Sequence, residues 1–233
     1  MANHNRKQLN DTGYVILRDI VPIKLIEDII DFSNKNLDQY ENDDEDTLFK
    51  TQYKCFNAGF CNDIQTHNGI NNPYAKMHAF LLDLMQEEFG LRLIPTFHFG
   101  RVHLNDTQGM KWHVDRLACE VSVTMPFAYS GPPWPVWLEA KNGKQKVELK
   151  VSDILIYKGC EIPHHREPYN NEYAFQHYFH YVDVESEIGS FAQYFNPSNQ
   201  SYWPGNIDRL ILDNNLPNIR DKEKEFYREN ING

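Results

Sequence analysis

The apolar pattern changes period at Gly90, and that change limits the possible folds more than any other feature. Before it, two segments carry apolar residues at helical spacing. Ile23, Ile26, Ile30 and Leu37 predict a helix near 22–40, with Pro22 suited to its first turn. Tyr74, Met77, Leu81, Met85 and Phe89 share one face of a second helix, capped by Asn72, opened by Pro73 and stopped by Gly90. After Gly90 the candidates are strands, at 91–94, 96–104, 110–115, 118–127, 134–139, 145–150, 153–158, 160–166 and 172–184. Turn chemistry separates them: Asn105-Asp106 and Gly109, Ser130-Gly131-Pro132-Pro133, Asn142-Gly143, and Asn170-Asn171. So many short strands so closely spaced imply a sandwich, jelly roll or barrel, with the helices packed on one sheet. The expected class is mainly β with flanking helices.

The remaining segments complete a single domain over 1–233. Residues 1–12 read as frayed, and Tyr14 to Val21 as a strand, so 1–90 supplies an N-terminal strand and helices. The acidic run Glu41 to Asp46 reads as a solvated loop. Residues 91–184 form the β core. Residues 185–233 read as an irregular extension rich in Asn and Pro, with a polar helix near 218–230.

Composition narrows the function classes. Aromatic residues make up 13% and hydrophobic residues 41%, enough for a substantial core. The net charge of -10 argues against nucleic acid and against anionic membrane surfaces. No apolar run reaches spanning length, and the first residues lack the apolar stretch of a signal peptide, so a cytoplasmic location is expected. Cys55, Cys61, Cys119 and Cys160 form no C-x-x-C pair, which argues against a zinc finger and suits reduced thiols.

One cluster carries chemistry. His113 and Asp115 stand at i and i+2 in a predicted strand, so both side chains aim to one face. His164 and His165 follow on a later strand, 51 and 52 residues after His113. Two imidazoles and a carboxylate on one face of a metal leave the opposite face open, the arrangement of non-haem Fe(II) oxygenases. The tripeptide alone is weak, since about 0.7 H-x-D matches arise by chance at this composition, and His165-Arg166-Glu167 is a competing H-x-E. Packed or surface histidines are the alternative.

The segment from about Pro95 to Asp183 resembles the prolyl-4-hydroxylase-like group of Fe(II)/2-oxoglutarate-dependent dioxygenases, and looks especially like a set of its mostly uncharacterised members. The blocks that carry the resemblance are Lys111-Trp112-His113-Val114-Asp115-Arg116, Ala118 to Thr124, Trp134 to Glu139, Asp153 to Glu161, His164-His165-Arg166-Glu167-Pro168 and Phe179-His180-Tyr181. They cover about 90 of the 233 residues, in order. The resemblance implies a double-stranded β-helix, a cupin-like jelly roll braced by N-terminal helices. It also implies Fe(II) held by His113, Asp115 and His164, with His165 the alternative third ligand, and 2-oxoglutarate as cosubstrate.

That family commonly supplies an Arg or Lys for the distal carboxylate of 2-oxoglutarate, roughly ten residues after the distal His. Here the window Glu172 to Gln176 holds no base. Arg166 is one substitute, at i+2 from His164, and its planar fork suits a carboxylate. Arg101 is another, and a salt bridge with Glu120 or Glu161 is the competing role for each. Thr124 and Ser122 share parity and can offer hydroxyls to the same carboxylate, and His177 is a weaker candidate. Trp112, Trp134, Trp137 and His165 either line an entrance or pack in the core. Arg116 is placed to contact substrate or to orient the carboxylate of Asp115.

The expected function is therefore an Fe(II)- and 2-oxoglutarate-dependent dioxygenase. It would hydroxylate a peptidyl or small-molecule substrate with O₂, releasing succinate and CO₂. The alternatives are a metal-binding cupin-like isomerase or lyase, and a jelly-roll binding module without a metal.

Overall fold

The computed structural model describes residues 2–35, 55–61, 73–105, 107–115, 119–186 and 188–189, with backbone alone over 55–61. The acidic run Glu41 to Asp46, the helix expected near 218–230 and the extension beyond residue 189 lie outside these residues.

Three helices precede most of the strands: α1 (Ala2–Thr12), α2 (Ile23–Lys35) and α3 (Pro73–Phe89). The strands are β1 (Tyr14–Leu17), β2 (Cys55–Cys61), β3 (Leu93–Leu104), β4 (Met110–His113), β5 (Val121–Tyr129), β6 (Val136–Ala140), β7 (Gly143–Val147), β8 (Ile154–Tyr157), β9 (His164–Arg166) and β10 (Tyr173–Asp183). Among the described residues they form two antiparallel sheets. The larger runs β1-β8-β5-β10-β3-β2 and the smaller β4-β9-β6-β7. Consecutive strands from β3 to β6 alternate between the sheets, as do β8 to β10, which is the winding of a jelly roll.

Both faces of the larger sheet are covered, and the sequence shows why. On β5, Val121, Val123, Met125 and Phe127 join Ile154, Ile156, Phe179 and Tyr181 under the helices, with Ile26, Ile29, Met77, Leu81 and Met85. The opposite parity faces the smaller sheet, where Leu155 and Tyr157 pack with Val136, Leu138, Val147 and Ile162. β5 is buried on both faces from Val121 to Phe127, yet its sequence alternates, because Ser122 and Thr124 occupy the parity that faces the smaller sheet. The row Ser122, Thr124, Gln176, Tyr178 and His180 sits on the inner parity. Polar groups buried between sheets need partners or a ligand.

The expected elements differ in several places. Ala2–Thr12, within the stretch expected to fray, form a helix, because Leu9 is buried in the core and Asn5 Nδ2 donates to Glu88 Oε2 on α3 at 2.9 Å. The expected strand from Tyr14 stops at Leu17, and Asp19 takes φ 52° at the turn towards α2. The two candidates at 91–94 and 96–104 are one strand, β3, whose pairing with β10 shifts register opposite His180 and Tyr181. Cys55–Cys61 is a strand in a stretch with no clear sequence signal. The second predicted helix runs from Pro73 to Phe89, its expected Asn72 cap lying outside the described residues, and Gly90 leaves it at φ 62°, a conformation glycine adopts without a Cβ clash. No helix among the described residues is long and apolar enough to cross a membrane.

Candidate metal centre

His113 ends β4 and His164 begins β9, and the two are direct cross-strand partners. Their ring centroids lie 4.3 Å apart. Each ring is fixed in the same way. Nδ1 of His113 is 2.8 Å from the carbonyl of Lys111, and Nδ1 of His164 is 2.9 Å from the carbonyl of Ile162. A carbonyl can only accept, so each Nδ1 carries a proton, and the nitrogen left for a metal on each neutral ring is Nε2. Both Nε2 atoms face one oxygen of Asp115, at 3.9 Å from His113 and 3.6 Å from His164.

Asp115 reaches this point by a different route from the one expected. It lies beyond the end of β4, so strand parity does not aim it. Its backbone N–H instead donates to the carbonyl of Gly159 at 2.8 Å, and the Gly159 N–H donates to the Glu120 carbonyl at 3.1 Å. Gly159 packs so closely that a Cβ would stand 2.3 Å from the Cys119 carbonyl oxygen and 2.7 Å from Asp115 Oδ2. The second oxygen of Asp115 accepts from Ser122 Oγ at 3.1 Å and from the Tyr157 hydroxyl at 3.2 Å.

The electrostatics suit a cation. Burial opposes ionisation of Asp115, but the imidazoles of His164, His180 and His113 outweigh it and hold the carboxyl below its usual range. Burial, then the neighbouring His164, lowers the pKa of His113. Burial, with the Asp115 charge adding to it, pushes the Tyr157 hydroxyl well above its usual value, so it stays a donor. An ionised carboxylate beside a neutral imidazole is the protonation state that binds a metal. The three ligand atoms lie within 4.8 Å of one another. Asp115, Cys119 and His180 form a second group within that distance, but the Ser122 hydroxyl stands among them, bonded to the Asp115 carboxylate, the Cys119 carbonyl and the His180 ring.

A cleft opens beside the triad, lined by Phe99, Met110, Thr124, Val136, Arg166 and Tyr178 among others. Arg166 is 4% exposed on β9, on the same face as His164. Its guanidinium donates to the Trp134 carbonyl at 2.5 Å and to Gln176 Oε1 at 3.4 Å, and lies 5.0 Å from the Trp134 ring centre. These partners are neutral. Among the described residues, no Asp or Glu forms an ion pair with it. Glu120 accepts instead from the Asp183 N–H and Ser186, and Glu161 pairs with Lys141 and Lys158. Burial lowers the Arg166 pKa, but a guanidinium stays protonated in proteins. Thr124 Oγ1 lines the same cleft, buried and without a hydrogen-bond partner among the described residues.

The other expected site residues fall elsewhere. Arg101 on β3 stacks over Phe99 at 5.0 Å and is not part of the cleft lining. Ser122 serves Asp115 rather than facing Arg166. His177 lies on the helix side of the larger sheet, stacked on Tyr74. Trp134 is buried behind Arg166, so it is no entrance residue. The Trp112 ring lies 4.0 Å from that of His165, tilted by 40°, and Trp137 lies 6.2 Å from the same ring. These rings are half-buried, with Lys144 over Trp112 and Lys146 over Trp137. His165 also borders the cleft. Arg116 lies outside the described residues. Sequence reasoning gave no role to Tyr157, Gly159, Gln176, Tyr178 or His180. Their contacts depend on strand register, which no local pattern encodes.

No family model matches this sequence, and no curated protein matches it. Solved structures do share its fold. One is a Pseudomonas putida prolyl-4-hydroxylase, 12% identical with a TM-score of 0.56, aligned over 77% of this chain and 98% of that one. HygX from Streptomyces hygroscopicus, solved with nickel and 2-oxoglutarate bound, is 10% identical with a TM-score of 0.57, over 79% and 88%. The non-haem α-ketoglutarate-dependent epimerase SnoN from nogalamycin biosynthesis is 10% identical with a TM-score of 0.60, over 78% and 80%. At these identities the likeness is one of fold, and the chain has the jelly roll of the 2-oxoglutarate/Fe(II) oxygenases.

Proposed function

We propose that this chain is an Fe(II)- and 2-oxoglutarate-dependent dioxygenase that hydroxylates a small-molecule or peptidyl substrate, releasing succinate and CO₂. The observation that carries this reading is Arg166, a buried guanidinium without a carboxylate partner, in the same cleft as His113, Asp115 and His164. An uncompensated buried charge is costly, and a bound anion removes the cost. A 2-oxo acid with a distal carboxylate meets both features of the cleft at once.

The donor set fits Fe(II). His113, Asp115 and His164 would hold it through Nε2, Oδ1 and Nε2. Bound iron supplies the O₂-activating redox chemistry that no side chain here possesses. The protein positions and shields. Arg166 pairs with the distal carboxylate through its planar fork, and Thr124 donates its unused hydroxyl to the same group. Phe99, Met110 and Val136 supply apolar walls that exclude water from the cleft. Trp112 and His165, at the rim, are the surfaces for a substrate to contact.

A metal-binding jelly roll that is not an oxygenase, such as an isomerase or lyase, is the competing reading. It is favoured by Gln176, a neutral residue on β10 where relatives often place a base. Anaerobic titration with Fe(II) and 2-oxoglutarate separates the two. The weak visible band of the chelate should appear in the wild type and vanish in His113→Ala and Asp115→Ala. Arg166→Lys should weaken 2-oxoglutarate binding by about tenfold or more, because an ammonium lacks the fork, while metal affinity stays unchanged. Metal binding without any band would sink the oxygenase reading, and an unaltered affinity in Arg166→Lys would remove Arg166 from its role.

A further inference from the structure

Tyr157, Ser122 and His180 stand in direct register across three adjacent strands. Ser122 of β5 pairs with Tyr157 of β8 on one side and with His180 of β10 on the other. All three are buried and share the inner parity of the sheet. The row therefore points as a unit at Asp115. Tyr157 and Ser122 both reach Oδ2, at 3.2 and 3.1 Å, while Oδ1 faces the two imidazoles.

Ser122 has one proton and more neighbours than that proton can serve, the Tyr157 hydroxyl among them. Its Oγ stands 3.1 Å from Asp115 Oδ2, 3.1 Å from the Cys119 carbonyl and 2.9 Å from His180 Nδ1. One hydroxyl proton serves one acceptor well, so something must direct it. His180 can. With its proton on Nδ1, the ring donates into a lone pair of Ser122, and the Ser122 proton is left for the carboxylate. With Nδ1 bare, the ring competes for that same proton and Asp115 loses a donor.

We propose that His180 and Ser122 form a hydrogen-bond relay which, with the Tyr157 hydroxyl, occupies Asp115 Oδ2 and so presents Oδ1 alone to the metal. These are positioning residues. None is one of the three proposed ligands, and each acts through Asp115. Partners behind a metal ligand commonly set affinity by about 10–100-fold. The inference rests on the metal-site reading above and deepens it.

Anaerobic Mn(II) titration, followed by the loss of the free-ion electron paramagnetic signal, tests the relay without requiring turnover. Wild type should bind, and His113→Ala should not. Ser122→Ala and Tyr157→Phe should each weaken binding by about 10–100-fold. The decisive pair is at His180. His180→Asn places an amide N–H near the position of Nδ1 and should stay close to wild type. His180→Gln extends towards Nε2 and should fall to the level of Ser122→Ala. The double variant Ser122→Ala/His180→Gln should be no weaker than Ser122→Ala, since His180 acts through Ser122. Thermal unfolding of the metal-free variants confirms that each is folded, and Tyr157→Phe, nearly isosteric, remains informative if a His180 variant is not. Equal affinities for the Asn and Gln variants, or additive losses in the double variant, would overturn the relay. Failure of wild type to bind Mn(II) would instead overturn the metal site itself.

Discussion

Gly159 has no room for a methyl group, because Asp115, Ser122 and the backbone of Cys119 crowd it. A Cβ there would stand 2.7 Å from both Asp115 Oδ2 and Ser122 Oγ, and 2.3 Å from the Cys119 carbonyl oxygen. The carbonyl belongs to the backbone and cannot swing away. Gly159→Ala must therefore push the Asp115 loop, whose N–H is bonded to the Gly159 carbonyl. The expected outcome is a loss of metal affinity of at least about tenfold, with a stability cost of about 1–3 kcal/mol from overpacking. Metal titration and urea unfolding of the same variant measure the two effects separately. Wild-type metal affinity in Gly159→Ala would mean that Asp115 does not depend on this contact. Arg166 shows the complementary case at the same scale. Its hydrogen bonds go to the neutral Trp134 carbonyl and Gln176, so under the proposed function the missing negative charge is what a bound anion would supply.

At the scale of elements, α1 shows how one buried residue can decide whether a segment folds. The helix is polar, with Leu9 2% exposed and Asn5 bonded to Glu88 of α3. Leu9→Ala should cost about 2–5 kcal/mol, as truncations of buried leucines do. Lys7→Ala should cost less than about 0.5 kcal/mol, because its pair with Asp11 is exposed. Urea unfolding of both variants at neutral pH checks the contrast, and equal costs would mean that α1 does not dock through Leu9. The same element explains part of what the sequence concealed. Tyr74, Met77, Leu81, Met85 and Phe89 announce α3 because five apolar residues share one face, whereas α1 buries one apolar residue, Leu9, among the described ones, and leaves no period to read. The β core was legible for the opposite reason, since turn residues such as Gly109 and the Asn142-Gly143 pair mark the strand ends. The triad was legible as residue types, yet its assembly was not. His113 and His164 meet through the pairing of β4 and β9, and Asp115 is aimed by Gly159. The roles of Ser122, Tyr157 and His180 follow from register between strands far apart in sequence, which local patterns do not contain.

At the scale of the whole molecule, histidines buried in different parts of the fold make stability depend on pH. His78 lies on the buried face of α3, against Tyr181 of the larger sheet, where burial lowers its pKa to about 3. His103 lies on the inner side, near Trp134, and burial, with Arg101 and Arg166 adding to it, also lowers its pKa to about 3. His177 is shifted in the same direction by burial. A group whose pKa is depressed on folding binds its proton in the unfolded chain first. Stability is therefore complete above the unfolded value near 6.5 and falls as pH drops from there towards 3, by about 1.4 kcal/mol per pH unit for each such group. Glu120 opposes this. Burial raises its pKa to about 7, so its contribution grows as pH falls from 7 towards 4.5. Two histidines against one glutamate leave a net loss of roughly 1–2 kcal/mol between pH 6.5 and 5.0, and His177 adds to it. Urea unfolding of the metal-free protein at those two pH values measures the loss, and stability that is flat or rising towards pH 5.0 would contradict it. His103→Phe sharpens the test. Both ring nitrogens of His103 lack a hydrogen-bond partner among the described residues, so removing them leaves no partner stranded. The variant should keep wild-type stability or exceed it at pH 7, and it should lose less than wild type at pH 5.0, because the proton that drives this part of the unfolding has nowhere to bind.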